Sequence, residues 1–232
     1  MAARHPVEPN EKHFRVKAGC ISRLHSPQAL FSNDGAVILG AMNLFPDIEI
    51  RHLTMPELEA ALDHLRAAPK NDGVVELIVR RPRVDHREVL EQAELDPVQG
   101  LLGDSWSMRP SSKTPDNSPH PEMQINIMNS RVTALVAQEK ERWPLAGDQL
   151  YIDMDLSKEN LPAGTQIAIG SAVLEVSALP HTGCHKFVAR FGAEAMKFVN
   201  SPVGRELCLR GINARIIKGG VIQVGQTARK IS

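Results

Sequence analysis

The feature of this sequence that most constrains its fold is a series of short, alternating apolar segments separated by glycine. In TQIAIGSAVLEVSAL, two such runs flank Gly170 and Ser171. Alternation at a period of two is typical of a half-buried β-strand, and glycine at the first central position favours a type II′ hairpin turn. The segment INARIIKGGVIQVG repeats this pattern and predicts a second hairpin that turns at Gly219 and Gly220.

Other short segments also have the composition of strands, namely VVELIVRRP, REVLEQAEL, QINIM and DQLYIDMDL. Many short strands with glycine turns and few helices are typical of a β-barrel. The sequence contains no evident parallel βαβ unit, no P-loop and no GxGxxG fingerprint. We therefore predict a mostly β fold with a few peripheral helices, built on a closed or nearly closed barrel over about 74–228.

Two clear helices accompany these strands. In LTMPELEAALDHLRAA, Thr54 and Glu57 form a capping box, and an apolar stripe follows at helical spacing. Ser130 is the expected cap of a second helix, SRVTALVAQEKER, which should pack on the barrel. We expect the helix that begins at Thr54 to lie outside the barrel, and short helices in AEAMKFVN and VGRELCL.

The chain divides into three predicted regions. Residues 1–50 form a poorly ordered or irregular N-terminal extension, and the segment up to about residue 33 should be the least ordered because it is rich in His, Pro, Asn and Ser without any sustained period. Residues 51–73 contain the peripheral helix. Residues 74–228 form the main domain.

Composition narrows the classes of function. The formal net charge is zero and aromatic residues make up 4%, so the sequence offers neither a basic field nor stacking platforms for nucleic acid. No apolar stretch approaches the length of a membrane-spanning helix. The three cysteines are widely spaced and include no CxxC pair, which favours free thiols in a reducing compartment. We expect a cytoplasmic protein that binds neither membrane nor nucleic acid.

The segment PHTGCHKF places Cys184 directly after a predicted strand, and three interpretations of this thiol are open. It could be an ordinary buried cysteine, an interpretation that suits Cys208 better because that residue lies between two leucines. It could be an activated thiolate, since Lys186 and protonated histidines nearby would lower its pKa. A thiolate can attack an electrophile, carry sulfur or bind a soft metal such as molybdenum.

The third interpretation is a zinc site built from His181, Cys184 and His185. A closed zinc site needs four ligands, so others would have to come from elsewhere, for example from His120 or Cys208. The spacing of these residues does not demand such a site.

An ordered set of segments resembles the MOSC domain, the module named after the C-terminal part of molybdenum cofactor sulfurase. The resemblance runs from about Val74 to about Gly225, roughly two thirds of the chain. It rests on these segments: VELIVRRP, ELDPVQGLLGDSW, QINIMNSRVTALVA, PLAGDQLYIDMDLSKENLPAGTQIAIGSAVLEV, PHTGCHKFVARFGAEAMKFVNS and RGINARIIKGGVIQVG.

The resemblance implies a MOSC-type β-barrel in which Cys184 matches the characteristic cysteine of the family. In members that bind the molybdenum cofactor (molybdopterin), that cysteine ligates molybdenum. Simple members resemble reductases of N-hydroxylated small molecules, whereas in sulfurases the domain is associated with receiving or carrying sulfur. Sulfurases also use pyridoxal phosphate, but their Schiff-base lysine lies in another domain, and Lys186 is not marked as its equivalent.

A molybdenum cofactor would need one thiolate from the protein and partners for its phosphate and pterin. Cys184 can supply the thiolate, and the guanidinium groups of Arg210 and Arg215 suit a phosphate. Asn126 can offer an amide to the pterin, and Asp104 matches a Gly-Asp pair that the family places near the site. Together with Lys186, which lies next to the thiol, these form the predicted site: Cys184, Arg210, Arg215, Asn126, Asp104 and Lys186. We expect Cys184 at the mouth of a pocket, with Arg215 and Asn126 within reach of one cofactor, and Cys208 buried.

One segment departs from the family pattern. Many small bacterial members follow their Gly-Asp pair with histidines and glycines, but here GDSWSMRPSSKTPDNSPHPEMQ is rich in Ser and Pro. The chain also has no cysteine run for an iron–sulfur cluster, so a reductase would need a separate electron donor protein. Two functions therefore stay open: a molybdenum-cofactor reductase of small molecules, and a module that takes sulfur from a donor protein and carries it, or binds the cofactor, without redox chemistry.

Overall fold

The computed structural model describes residues 51–231, so the predictions for residues 1–50 lie outside the described part of the chain. Its α-helices are α1 (Met55–Ala60), α2 (Leu62–Arg66), α3 (Ser130–Ala137), α4 (His185–Phe191), α5 (Ala193–Asn200) and α6 (Pro202–Glu206). Its strands are β1 (Gly73–Arg80), β2 (Glu88–Leu90), β3 (Gln92–Asp96), β4 (Gly100–Leu101), β5 (Ile125–Asn129), β6 (Leu150–Asp153), β7 (Gln166–Ile169), β8 (Ala172–Pro180), β9 (Ile212–Lys218), β10 (Gly220–Gln223) and β11 (Thr227–Lys230). Short 3₁₀ helices cover Ser105–Met108, Pro121–Met123 and Lys140–Ala146.

Seven strands close into a barrel, as the sequence predicts. Their order is β11-β7-β8-β9-β5-β6-β1, and pairing between β1 and β11 completes the ring. An odd number of strands cannot alternate in direction around a closed ring, so one neighbouring pair must be parallel. That pair is β5 and β6. Because a parallel connection needs a crossover, the chain between these strands forms α3 and the 3₁₀ helix Lys140–Ala146.

The two predicted hairpins have different outcomes. The first is confirmed, since β7 and β8 pair across Gly170 and Ser171. The second is wrong, because β10 does not pair with β9 but joins β3 and β4 in a separate three-stranded sheet. At Gly220 the backbone passes so close to Ser171 that a Cβ would collide with it. The glycine pair therefore allows the chain to leave the barrel and enter a second sheet.

Alternation along the strands sorts apolar residues into two cores. The inner face of the barrel carries a cluster that includes Val75, Ile127 and Ile152. The outer face carries residues such as Leu77 and Tyr151, which pack against the helices in a second cluster. The helical contribution to this outer cluster includes Leu58, Val132, Phe191 and Phe198. The helices are thus held to the wall of the barrel by apolar contact.

The two longer predicted helices form with shorter bounds, and the predicted helix AEAMKFVN forms α5. Glu57 accepts hydrogen bonds from Thr54 N at 2.8 Å and Thr54 Oγ1 at 2.7 Å, as the capping box requires, but the helix breaks at Ala61 into α1 and α2. The cap of α3 is Asn129 and not Ser130, because the Asn129 side chain accepts from the first backbone amides. α3 ends at Ala137, since Gln138 has a φ of 65°. None of the helices among residues 51–231 has the length and apolar character to cross a membrane.

Candidate functional site

Cys184 lies on the loop between β8 and α4 and is exposed. The backbone N–H of Gly183 donates to Asn200 Oδ1 at 3.3 Å, and a Cβ at Gly183 would collide with the Met196 sulfur. The loop therefore packs closely on α5, and a larger residue at position 183 would require the Met196 side chain to move. Among the described residues, no hydrogen bond engages the Cys184 thiol. The thiol is thus presented to solvent from a fixed loop.

Two cations on α4 face a single carboxylate. Lys186 Nζ and Arg190 Nη2 each lie 3.1 Å from Asp85 Oδ1. The hydrogen bond from Lys186, together with the positive charges around it, holds the pKa of Asp85 below its ordinary value. Arg190 also donates from Nη1 to Leu145 O at 2.6 Å. This arrangement leaves positive charge in excess beside the Cys184 loop.

Arg87 adds a third cation to this region. It donates to Pro144 O at 3.3 Å and to His86 O at 2.7 Å, and no carboxylate among residues 51–231 forms an ion pair with it. Its Nη2 and the Nη1 of Arg190 would lie 3.8 and 3.9 Å from a Cβ placed on Gly147. Burial, with the charges of Arg190 and Arg81, lowers the pKa of Arg87. We call Arg87, Lys186 and Arg190 the cationic face.

Two of the predicted site residues meet in a buried network around Arg81. The Arg81 guanidinium pairs with Asp104 through Nε at 2.9 Å and Nη2 at 3.1 Å. Its Nη1 donates to Asn126 Oδ1 at 2.9 Å, and Asn126 Nδ2 donates in turn to Asn213 Oδ1 at 2.7 Å. Asp104 and Asn126 thus have their polar atoms occupied within the protein.

Arg210 belongs to a second buried ion pair. Its Nη1 lies 2.8 Å from Asp148 Oδ2, and His181 Nε2 lies 2.8 Å from Asp148 Oδ1. Burial is the largest influence on Asp148 and opposes its charge, but Arg210 and His181, through their charges and hydrogen bonds, together hold the pKa of Asp148 below its ordinary value. Burial and the same Arg210 charge lower the pKa of His181, so its imidazole is neutral at pH 7.

One loop joins the two buried ion pairs. Arg210 Nη2 donates to Ala146 O at 3.0 Å, and Arg81 Nη1 donates to Gly147 O at 2.7 Å. Arg81 and Asp148 are not among the site residues that the sequence predicts. Both are charged residues at the ends of apolar strand segments, in VVELIVRRP and in AGDQL, and that position was the available signal. These ion pairs fix the loop against which the cationic face lies.

The other two predicted residues are also paired. Arg215 lies on the outer face of the barrel, where its Nε donates to Glu175 Oε1 at 2.8 Å. Lys186 belongs to the cationic face. The structure therefore brings Asp104 and Asn126 together. It keeps Arg210 and Arg215 in separate ion pairs. Of the predicted cations, only Lys186 lies on the helix that follows the Cys184 loop.

The zinc interpretation has no support in the described residues. His181 is occupied by Asp148, and no group of three or more His, Cys, Asp or Glu side chains among residues 51–231 could hold a metal ion. A site in which Cys184 is the protein's single ligand does not depend on such a group.

A cavity of about 670 Å³ lies beside the loop that carries Cys184. His181 and Thr182 line it, but Cys184 does not. Cys208 lines it instead and is half-buried, which corrects the expectation that this cysteine is fully enclosed. The reason is its place in the turn after α6, with a φ of 49°, at the wall of the cavity. Burial still raises the pKa of Cys208.

Comparison with known proteins gives matches among solved structures. No protein-family profile matches the sequence. No curated protein matches it either. The YuaD protein from Bacillus subtilis matches at 15% identity and a TM-score of 0.51, covering 69% of this chain and 97% of that one.

Two YiiM proteins match with lower TM-scores. The protein from Escherichia coli matches at 17% identity and a TM-score of 0.45, covering 68% of this chain and 70% of that one. The protein from Geobacillus stearothermophilus matches at 13% identity and a TM-score of 0.43, covering 71% and 75%. YuaD and YiiM are MOSC-domain proteins. From its closed barrel and its likeness to YuaD, the described part of the chain has a MOSC-type fold.

Proposed function

We propose that this protein binds the molybdenum cofactor through Cys184 and reduces small N-hydroxylated or related compounds. The observation that carries the proposal is the exposed Cys184 thiol on a fixed loop, followed directly by the helix that supplies two residues of the cationic face. The likeness to known structures concerns the fold alone, so the function is inferred from the residues around Cys184.

The donor chemistry of these residues fits the cofactor. Its dithiolene supplies two sulfurs, so the protein needs to add one thiolate, and no other side chain among the described residues has to act as a metal ligand. Its phosphate needs cations that are not already neutralised. Arg210 and Arg215 are each paired with a carboxylate of their own. In the cationic face, Lys186 and Arg190 share Asp85, and Arg87 forms no ion pair with a described carboxylate. We therefore assign the phosphate to the cationic face and not to the arginines that the sequence indicated.

The reaction is a two-electron reduction. When bound, the cofactor supplies the redox centre at which an N–O bond is cleaved. An N-hydroxylated compound takes up two electrons and two protons and gives the amine and water. The electrons come from a separate donor protein, because the sequence has no cysteine run for an iron–sulfur cluster. Cys184 would hold the metal, and the cationic face would orient the cofactor by its phosphate.

Metal content tests this proposal. The protein is purified from a host that makes the cofactor, and molybdenum is measured by mass spectrometry. We expect bound molybdenum in the wild type and in Cys208→Ser, and at least about a tenfold loss in Cys184→Ser. Arg87→Gln should reduce cofactor retention, whereas Arg215→Gln should not. Molybdenum that is absent from the wild type, or retained by Cys184→Ser, would contradict the proposal.

The exposure of Cys184 also favours a second function, that of a sulfur carrier. Its thiolate would attack the outer sulfur of a donor protein's persulfide, which forms a persulfide on Cys184 and releases the donor as a thiolate. This exchange needs no external oxidant. Incubation with a persulfide donor, followed by intact-mass measurement, should then add one sulfur atom to the wild type and to Cys208→Ser but not to Cys184→Ser. Failure to take up sulfur would exclude this alternative.

A further inference from the structure

The cavity beside the Cys184 loop has an apolar interior. Leu161, Val176, Val199 and Ile212 line its inner part, and all of them are buried. Its volume of about 670 Å³ falls within the range of pockets that hold small organic molecules. Such an interior suits the apolar body of a ligand.

The rim of the cavity is positively charged, and its described lining includes no acid. Lys158 and Arg205 are exposed lining residues, and neither forms an ion pair with any carboxylate among residues 51–231. No aspartate or glutamate is among the residues that line the cavity in the described chain. The third lining cation, Arg210, is neutralised by Asp148. Two positive charges without an ion-pair partner in the described chain therefore border an apolar chamber.

The positive charge of Lys158 influences the wall of the cavity. Cys208 lies on the cavity wall, and burial dominates and raises its pKa. The charge of Lys158 lowers this pKa, and its effect is larger than the opposing effect of Asp155. The backbone N–H of Lys158 donates to Glu206 O at 3.1 Å, which ties this residue to the end of α6, the helix that also carries Arg205. The two cations are therefore held on one side of the same opening.

We propose that this cavity binds an organic anion, with the apolar body of the ligand in the inner chamber and its carboxylate at Lys158 and Arg205. A pterin would need many hydrogen-bonding partners, and the inner wall supplies few, so the cavity does not suit the cofactor itself. A neutral apolar compound would form no ion pair with the cations of the rim. An acid with an apolar body satisfies both parts of the cavity.

The position of the cavity gives this ligand a role. His181 and Thr182 line the cavity, and Cys184 follows on the same loop. The anion would therefore bind beside the loop that carries the thiol. Its role as the substrate rests on the proposed function, so the substrate class would be N-hydroxylated or related compounds that carry an acidic group. Binding of the anion does not depend on the cofactor.

Binding of a matched pair of probes tests the inference. The full-length protein is titrated by ligand-observed NMR with 4-phenylbutyrate and with its neutral analogue 4-phenylbutanamide, at low ionic strength. We expect the acid to bind about tenfold more tightly than the amide, because only the acid pairs with the rim cations. Added salt should reduce this difference, since exposed charges are screened.

Single substitutions locate the binding site. Lys158→Gln and Arg205→Gln should each weaken binding of the acid about threefold to tenfold and leave the amide unchanged. Lys113→Gln, which removes an exposed lysine outside the cavity, is the matched control and should change neither. Ala178→Phe places a large side chain on the lining and should abolish binding of both probes. The melting temperature of each variant verifies that it is folded.

The outcomes separate this inference from the proposed function. Equal binding of acid and amide, or full binding of the acid by the Lys158→Gln and Ala178→Phe variants, would overturn the inference. Loss of molybdenum from Cys184→Ser with unchanged acid binding would support both proposals. A wild type without molybdenum that still binds the acid would refute the proposed function and leave the anion site standing.

Discussion

The two described cysteines have opposite surroundings, and their chemistry should differ accordingly. Cys184 is exposed on a loop held by Gly183, whereas Cys208 is half-buried in a turn at the cavity wall. The sequence indicated this contrast correctly in direction, because polar neighbours flank Cys184 and leucines flank Cys208. It could not indicate that Cys208 lines a cavity, since the other walls come from β8, α5 and the segment around Leu161, which are distant in sequence.

We expect iodoacetamide to alkylate Cys184 faster than Cys208 by a factor of about ten or more. Burial raises the pKa of Cys208 and so lowers its thiolate fraction, while Cys184 is open to the reagent. The experiment uses a Cys20→Ser background and follows the two cysteine-containing peptides by mass spectrometry. Cys184→Ser should remove the fast phase and Cys208→Ser the slow one. Faster labelling of Cys208 would refute this assignment of reactivity.

Among the elements, the parallel pair of β5 and β6 depends on the helix that crosses between them. Asn129 ends β5 and caps α3, accepting from Arg131 N at 2.8 Å and Val132 N at 3.3 Å. Its Nδ2 also donates to Met154 O at 2.6 Å, just beyond β6. One buried side chain therefore connects both strands and their crossover.

We expect Asn129→Ala to destabilise the protein by about 2 kcal/mol, because it removes a helix cap and leaves a buried carbonyl without its donor. Asn129→Ser, which keeps a neutral capping oxygen and loses the donor to Met154 O, should cost less. Gln138→Ala, at the exposed end of the same helix, is the control and should change stability by less than about 0.5 kcal/mol. Urea unfolding measures all of them. An Asn129→Ala variant as stable as the control would contradict this account.

At this scale, local patterns were sufficient for some elements and insufficient for others. The turn at Gly170 and Ser171 joins adjacent paired strands, so the sequence next to it determines the hairpin. The Gly219–Gly220 turn looks the same locally, but β10 pairs with β3, more than a hundred residues away. The cationic face has the same difficulty, because Arg87 approaches α4 only in the folded barrel. Long-range pairing is what the sequence alone could not supply.

At the scale of the whole molecule, the barrel is bound to its surrounding loops by two buried ion pairs. One pair joins Arg81 to Asp104 and the other joins Arg210 to Asp148. Both arginines donate hydrogen bonds to the loop around Gly147, which also lies against the cationic face. Removing one partner of such a pair leaves an uncompensated buried charge. The position of the cationic face therefore depends on groups whose ionisation is linked to folding.

This linkage predicts a pH dependence of stability that is centred on His181. Burial and the charge of Arg210 lower the pKa of His181 in the folded protein, whereas the unfolded chain binds the proton near the ordinary value of 6.5. As the pH falls below about 6.5, the unfolded state takes up a proton that the folded state does not. The free energy of unfolding should then decrease, by up to about 1.4 kcal/mol per pH unit from this group.

His181→Gln keeps a donor for Asp148 but does not titrate, so its free energy of unfolding should depend less steeply on pH between about 6.5 and 5. His185→Gln, an exposed histidine on the same segment, is the matched control and should follow the wild type. Urea unfolding at a series of pH values measures the slopes. Parallel curves for the wild type and His181→Gln would show that this imidazole titrates alike in both states, and that the pair with Asp148 does not link the loop to pH.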